Sequence, residues 1–112
     1  MCDTDQALRI FRQVYKANES VLGEIKEAYL YGSYARGDYT DESDVDIILL
    51  VPMPQESIAE YRREISKISS RLSLENDVTV SVMVEPFEQF RRYSEILPFY
   101  QNVVREGIRY AG

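Results

Sequence analysis

The sequence predicts an α+β fold: a small mixed β-sheet with helices packed on one face, built by residues 1–112 as a single domain. Three observations carry that expectation. The chain has 112 residues, enough for one hydrophobic core but not two. Its hydrophobic periodicity switches repeatedly between the helical and the strand repeat, in the order α β (α) β α β α α, with no internal repeat. A helical stretch separates the second and third strands, which permits parallel as well as antiparallel pairing, so the sheet is expected to be mixed.

"DTDQALRIFRQVYKAN" places apolar residues at Ala7, Leu8, Ile10, Phe11, Val14, Tyr15 and Ala17, a helical stripe with Asp3 or Thr4 as N-cap. Gly23 interrupts, and "EIKEAYLYG" follows as a short strand in which Ala28 and Leu30 alternate with Tyr29 and Tyr31, ending at Gly32. "SYARGD" forms a turn or one helical turn closed by Gly37, and "DYTDES" a polar loop. "DVDIILLV" is a strand apolar on both faces at its far end, the pattern of a sheet covered on two sides, and Pro52 and Pro54 end it. In "ESIAEYRREISKISSRLSLEN", Ile58, Tyr61, Ile65, Ile68 and Leu72 recur at helical spacing. "DVTVSVMVE" alternates strictly, with Val78, Val80, Val82 and Val84 on one face and Asp77, Thr79, Ser81 and Met83 on the other. After Pro86, "FEQFRRYSEI" and "FYQNVVRE" read as short helices separated by Pro98, and "IRYAG" as an edge strand or tail after Gly107.

Composition narrows the chemistry. The formal charge of −6 argues against direct nucleic-acid binding. No apolar run reaches the ~20 residues that span a bilayer, and the acidic start "MCDTDQALRIF" is unlike a signal peptide, so a cytoplasmic protein is expected. The single cysteine, Cys2, excludes an intramolecular disulfide and a thiolate cluster. The absence of histidine removes Ser-His-Asp and Cys-His nucleophile systems and the common zinc sites. Catalysis, if present, runs on carboxylates, hydroxyls, Lys or Arg, with a hard cation.

The chemistry-bearing residues concentrate in "YLYGSYARGDYTDESDVDIILLV". Asp44 and Asp46 are two apart on a strand and so project from one face. Like charges that close raise a carboxyl pKa unless a cation holds both ionised, and Mg²⁺ or Mn²⁺ with oxygen ligands is the simplest such cation. Gly32 at the strand end allows close backbone approach to a ligand. A helical turn starting at Ser33 presents free N–H groups to an anion, and Arg36 adds a cationic fork suited to phosphate. Each motif alone is common in proteins of no such function; their order on adjacent strands is what points to a triphosphate held beside a metal dyad.

These residues resemble the signature of the nucleotidyltransferase superfamily related to DNA polymerase β, hG(G/S) followed by (D/E)h(D/E)h. More closely, "GSYARGDYTDESDVD" resembles the minimal nucleotidyltransferase group, GSxARG, a gap, then SDxD. The tail "LPFYQNVVREGIRYAG" is similar to the end of such proteins, so the likeness covers nearly the whole chain as a single nucleotidyltransferase domain. The resemblance implies the polymerase β-like fold and transfer of a nucleoside monophosphate, AMP from ATP, to a hydroxyl with release of pyrophosphate. Carried over by position, it implies that Gly32 and Ser33 bind the triphosphate, that Arg36 assists, that Ser43 lies at the nucleotide site or orders its loop, and that Asp44 and Asp46 bind the metal.

The resemblance also implies a third carboxylate on the next strand. Glu75, Asp77 and Glu85 are candidates. Strand parity favours Asp77 as the third catalytic and metal-binding acid, although Asp77 can equally cap the preceding turn. Thr79 or Ser81 at that place would instead imply a weakly active or non-catalytic nucleotide binder. Small proteins of this group are similar to the antitoxin half of a toxin–antitoxin pair whose toxin has a helical HEPN domain, implying AMP transfer to a tyrosine of that toxin. Tyr34, Tyr39, Phe99 and Tyr100 are candidates for a partner interface or for ordinary packing. The rival reading is a non-enzymatic antitoxin or regulatory module; an antibiotic-modifying adenylyltransferase fits less well, because no second segment holds a small acceptor. Self-association is left open.

Overall fold

A computed structural model describes residues 2–111. Helix α1 spans Thr4–Leu22, with Asp3 as its N-cap: the Asp3 carboxylate accepts the Gln6 N–H at 2.8 Å. It continues past Asn18 until Gly23, whose positive φ of 86° turns the chain out of the helix. Strand β1 (Glu27–Tyr31) leads into the single turn α2 (Ser33–Arg36), and β2 (Val45–Val51) follows the polar loop. Helices α3 (Gln55–Ala59) and α4 (Arg62–Asn76) precede β3 (Val80–Pro86), and α5 (Phe87–Tyr93), α6 (Pro98–Glu106) and β4 (Ile108–Arg109) complete the chain.

The sheet order is β3-β2-β1-β4. Strand β2 runs antiparallel to β1 and parallel to β3, so the sheet is mixed as expected. The parallel pair follows from the helical crossover, which brings the chain back to the same end of the sheet. β2 lies between two strands and carries the most hydrophobic run of the sequence, and Val45 and Ile47–Val51 are inaccessible to solvent.

Alternation along β2 divides the interior. Val45, Ile47, Leu49 and Val51 join Ala28, Leu30 and Val80 under α1 and α4, meeting Ile10, Phe11 and Val14 of α1 and Ile65, Ile68 and Leu72 of α4. Ile48 and Leu50 point the other way, onto Phe90 of α5 and Tyr100 and Val103 of α6, with Tyr29 alongside. The expected helical layer on one face is therefore α1 and α4, and α5 and α6 cover part of the second face as well. A strand with apolar side chains on both faces requires that second cover, since each buried Leu or Ile contributes roughly 1.5–3 kcal/mol only when water is excluded from it.

Two local expectations change. The long helical pattern after Pro54 breaks at Glu60–Tyr61, where Tyr61 N–H bonds to the Ile58 carbonyl at 2.9 Å instead of one residue further back. The break preserves the apolar stripe against the sheet, with Ile58, Ile65, Ile68 and Leu72 all buried. β3 begins at Val80, not at Asp77, because Asp77 is the left-handed C-cap of α4 at φ 51° and its N–H bonds to Ser73. Among the described residues no helix is long and apolar enough to cross a membrane.

Candidate active site

The tight turn after β1 sets the geometry. Gly32 has φ 77° and ψ −156°, a region open essentially to glycine alone. A Cβ at Gly32 would also collide with Oδ2 of Asp46. Backbone and carboxylate are thus in direct contact, which only a residue without a side chain permits. From Gly32 the chain enters α2: the Ala35 and Arg36 N–H groups both return to the Gly32 carbonyl at 3.1 Å. The N–H groups of Ser33 and Tyr34 fall in the first turn, where no carbonyl precedes them, and they are left to solvent or a ligand. Gly37, at φ 91°, closes the turn.

Asp44 is exposed just ahead of β2, while Asp46 is half-buried within it, on the face of Ile48 and Leu50. In register, Asp46 stands between Tyr31 of β1 and Ser81 of β3. Burial pushes the Asp46 carboxyl above the ordinary carboxylate value, the Asp44 charge pushes it further, and Arg36 opposes both. Two neighbouring carboxylates, one of them already held above its usual pKa by burial and by the other, form a donor set that suits a hard divalent cation. Arg36 is partly exposed, its Nε 3.2 Å from Asp38 and a terminal nitrogen 3.9 Å from Glu106 of α6. Tyr31 has its phenol pushed up to about 12, by burial first and by Asp46 second, and its ring meets Phe99 edge-on at 5.4 Å.

Gly32, Ser33, Arg36, Asp44 and Asp46 are thus gathered around the β1–β2 end. Ser43 acts locally. Its hydroxyl accepts the Thr40 N–H at 2.9 Å and its own N–H returns to the Thr40 carbonyl, which orders the loop ahead of Asp44. Asp77 departs from the expected third place. As the α4 cap it lies off the strand, lining a depression of about 340 Å³ with Asp41, Asp44 and Ser73 beside α4. Among the described residues no three His, Cys, Asp or Glu side chains are grouped so as to hold a metal ion. Of the alternatives, Glu85 pairs in register with Leu50, toward the opposite end of β2, and accepts a hydrogen bond from Gln55. The residue beside Asp46 is Ser81.

Of the aromatic candidates, Tyr34 is buried at 2% exposure, stacked on Tyr39 at 4.5 Å between ring centres, with its hydroxyl donating to the Cys2 carbonyl at 3.3 Å. Tyr34 is core, and Cys2 packs in the same buried cluster. Tyr100 is also buried and accepts a hydrogen bond from Gln89 at 2.7 Å, while Phe99 remains partly exposed. Sequence reasoning missed Tyr31 and Glu106 as neighbours of the site and held Ser81 only as an alternative to Asp77; the strand parity of Tyr31 and Ser81 was readable, but the register that brings them to Asp46 was not.

Comparison with known proteins bears on this arrangement. The family model described as "Nucleotidyltransferase domain" matches residues 8–110. A protein of Methanocaldococcus jannaschii named "Putative protein adenylyltransferase MJ0604" is 35% identical over 103 residues, covering 92% of this chain and 93% of its own. A structure described as "a putative nucleotidyltransferase from Sulfolobus solfataricus" superposes with a TM-score of 0.65 at 19% identity, covering 96% of this chain and 81% of the other. A toxin–antitoxin structure with AMP-PNP superposes with a TM-score of 0.60 at 23% identity, covering 88% and 69% respectively. The two superpositions establish the polymerase β-like fold. Matched from its first helix to its last strand, and similar along its length to such a relative, the chain belongs to the nucleotidyltransferase domain family and is a transferase.

Proposed function

We propose that the chain transfers AMP from ATP to a tyrosine hydroxyl of a partner protein, acting as the antitoxin of a toxin–antitoxin pair whose toxin is of the HEPN type. The observation that carries the reading is the contact of the Gly32 turn with the Asp46 carboxylate, which also feels the charges of Asp44 and Arg36. The relative named as a protein adenylyltransferase and the toxin–antitoxin neighbour support the donor and the kind of partner.

In this reading the Ser33 and Tyr34 N–H groups and the Ser33 hydroxyl hold the triphosphate tail. Arg36 swings from Asp38 and Glu106 to the phosphates, an exchange that costs little because exposed ion pairs are weak. Asp44 and Asp46 would hold Mg²⁺ or Mn²⁺, which supplies charge stabilisation at the α-phosphate when bound. Ser43 keeps the loop in place beneath them. The acceptor hydroxyl gives its proton to solvent, its oxygen forms a bond to the α-phosphorus, the bond to the bridging oxygen breaks, and pyrophosphate leaves. Phe99, exposed and touching Tyr31, offers apolar contact to a partner beside the site.

Ser81 at the place beside Asp46 favours a second reading, a nucleotide-binding antitoxin of weak or no turnover that acts by partner binding. Incubation with labelled ATP, Mg²⁺ and the product of the neighbouring gene separates the two. Label on the neighbour that is lost in Asp44→Asn and Asp46→Asn supports transfer; a tight complex without label supports the module.

A further inference from the structure

We infer that the outer edge of β3 pairs antiparallel with the same edge of a second copy of this chain, about a two-fold axis at Met83, joining two four-stranded sheets into one. The pairing is independent of the transfer reading above and would hold for an active or an inactive chain alike.

β3 is the terminal strand of the order β3-β2-β1-β4, so one side of its backbone has no neighbouring strand. Along a strand, the N–H and C=O of one residue point to one side and those of the next residue to the other. The Thr79 carbonyl accepts the Val45 N–H of β2 at 2.9 Å, so odd positions face β2 while Val80, Val82 and Val84 face outward. The Val80 N–H follows that parity: it bonds to the Ser73 hydroxyl of α4 at 2.9 Å instead of to β2. Among the described residues, no group bonds the outward N–H and C=O of Val82 or of Val84. At the far end Pro86 has no N–H to offer. The open stretch is therefore bounded by a capped Val80 and by Pro86, which lie equally far from Met83 on either side.

Edge strands are ordinarily blunted by brevity, lysine, proline or a bulge. The opposite edge is short, since β4 has only 2 residues. β3 has 7, with no lysine, no proline before Pro86, and a one-to-one register with β2 from Val80 to Pro86 that leaves no bulge. Its one charged side chain, Glu85, accepts a hydrogen bond from Gln55. A two-fold axis at Met83 sets Val82 opposite Val84 of the second copy, and Val84 opposite its Val82. Each pair exchanges both N–H···O bonds, so every open group of the two valines finds a partner. Faces match as well. The valines meet on the side of α1 and α4, and Met83, 37% exposed, meets Met83 of the second copy on the other side. Glu85 falls opposite Ser81 of the second copy, so the two carboxylates do not face each other. A self-complementary contact needs a segment symmetric in its donors and acceptors, and the stretch about Met83 is one, which selects a second copy over an unrelated strand.

Sedimentation velocity over a concentration series tests the association. At ~0.15 M salt, where repulsion between exposed charges is screened beyond about 8 Å, the mass should rise toward twice 13.0 kDa. Hydrogen exchange followed by NMR reads the edge itself. The Val82 and Val84 amides should exchange rapidly in dilute samples and slow about tenfold once roughly nine-tenths of the chain is dimeric. The Ser81 and Met83 amides, already bonded to β2, should be slow throughout. Met83→Lys sets two ammonium groups face to face across the axis and should weaken association at least ~10-fold. If that variant fails to fold, the exchange pattern of the wild type decides alone. A chain that stays monomeric at every concentration would overturn the pairing. So would a dimer that leaves Val82 and Val84 exchanging rapidly, or one that Met83→Lys does not weaken. Protection of these valines that appears only on adding a different protein would assign the edge to that protein's strand and equally overturn self-pairing.

Discussion

Gly32 and Asp46 lie in van der Waals contact across the β1–β2 end, the backbone of one against the carboxylate of the other, with no room for a methyl group between them. The contact couples the Gly32 turn to the Asp46 carboxylate, so that a shift of one presses on the other. It also makes Gly32 the least replaceable residue of the site.

Gly32→Ala should therefore fail twice. Its backbone is held at φ 77° and ψ −156°, where a side chain costs on the order of 1–3 kcal/mol. The new methyl group must also displace the Asp46 carboxylate. The expected outcome is a loss of roughly 1–3 kcal/mol in urea unfolding together with a fall in AMP transfer of at least ~100-fold. Wild-type turnover in the variant would show that the turn and Asp46 do not act together.

Asp46 carries a built-in stability cost. Its folded pKa is raised above the unfolded value, so the folded state binds the extra proton. The favourable contribution is present in full below the ordinary carboxylate value and is lost as pH rises through the raised one. At neutral pH in chelator-treated buffer, Asp46→Asn should stabilise the fold, by no more than about 1 kcal/mol because half the side chain is solvated. That gain should vanish on acidification. Mg²⁺ should raise the melting temperature of the wild type and not of Asp46→Asn, since binding to the folded state alone stabilises it. Differential scanning fluorimetry across pH, with and without Mg²⁺, checks both.

Arg36 bridges Asp38 and Glu106 at the surface, a weak contribution to stability. Arg36→Ala should change unfolding by less than about 0.5 kcal/mol and yet raise KM for ATP about tenfold. Arg36→Lys should recover only part of that loss, because an ammonium cannot present the planar fork. Steady-state kinetics alongside equilibrium unfolding separates the two roles; parallel losses in both would make Arg36 structural.

Tyr31 and Tyr34 each have their phenol pushed up to about 12, burial being the largest cause at both. An unfolded tyrosine titrates near 10, so the stability these groups contribute is present below about pH 10 and is lost as pH rises toward 12. Tyr34→Phe should make the alkaline decline in stability shallower, with Tyr15, Tyr29, Tyr31 and Tyr100 supplying the rest, at the cost of its hydrogen bond to the Cys2 carbonyl, about 1 kcal/mol. Urea midpoints measured over that range, with the ultraviolet absorbance of tyrosinate as the direct readout, test the assignment.

What the sequence determined by itself was whatever local geometry dictates. The order of elements, the glycine turn and the double-sided burial of Ile47–Val51 all follow from periodicities of two or 3.6 residues and from glycine's freedom at positive φ. Asp77 shows where locality ends. Its parity was that of the strand face, but parity runs through a strand only once the strand has begun, and the α4 helix claimed Asp77 as its cap. Only the tertiary structure decided that Ser81 stands beside Asp46, that Tyr31 faces it from the other side, and that Glu106 reaches Arg36 from 70 positions away. Register between strands and the docking of α6 are set by how the two layers of side chains pack against β2, an energy summed over the whole core that no short stretch of sequence contains.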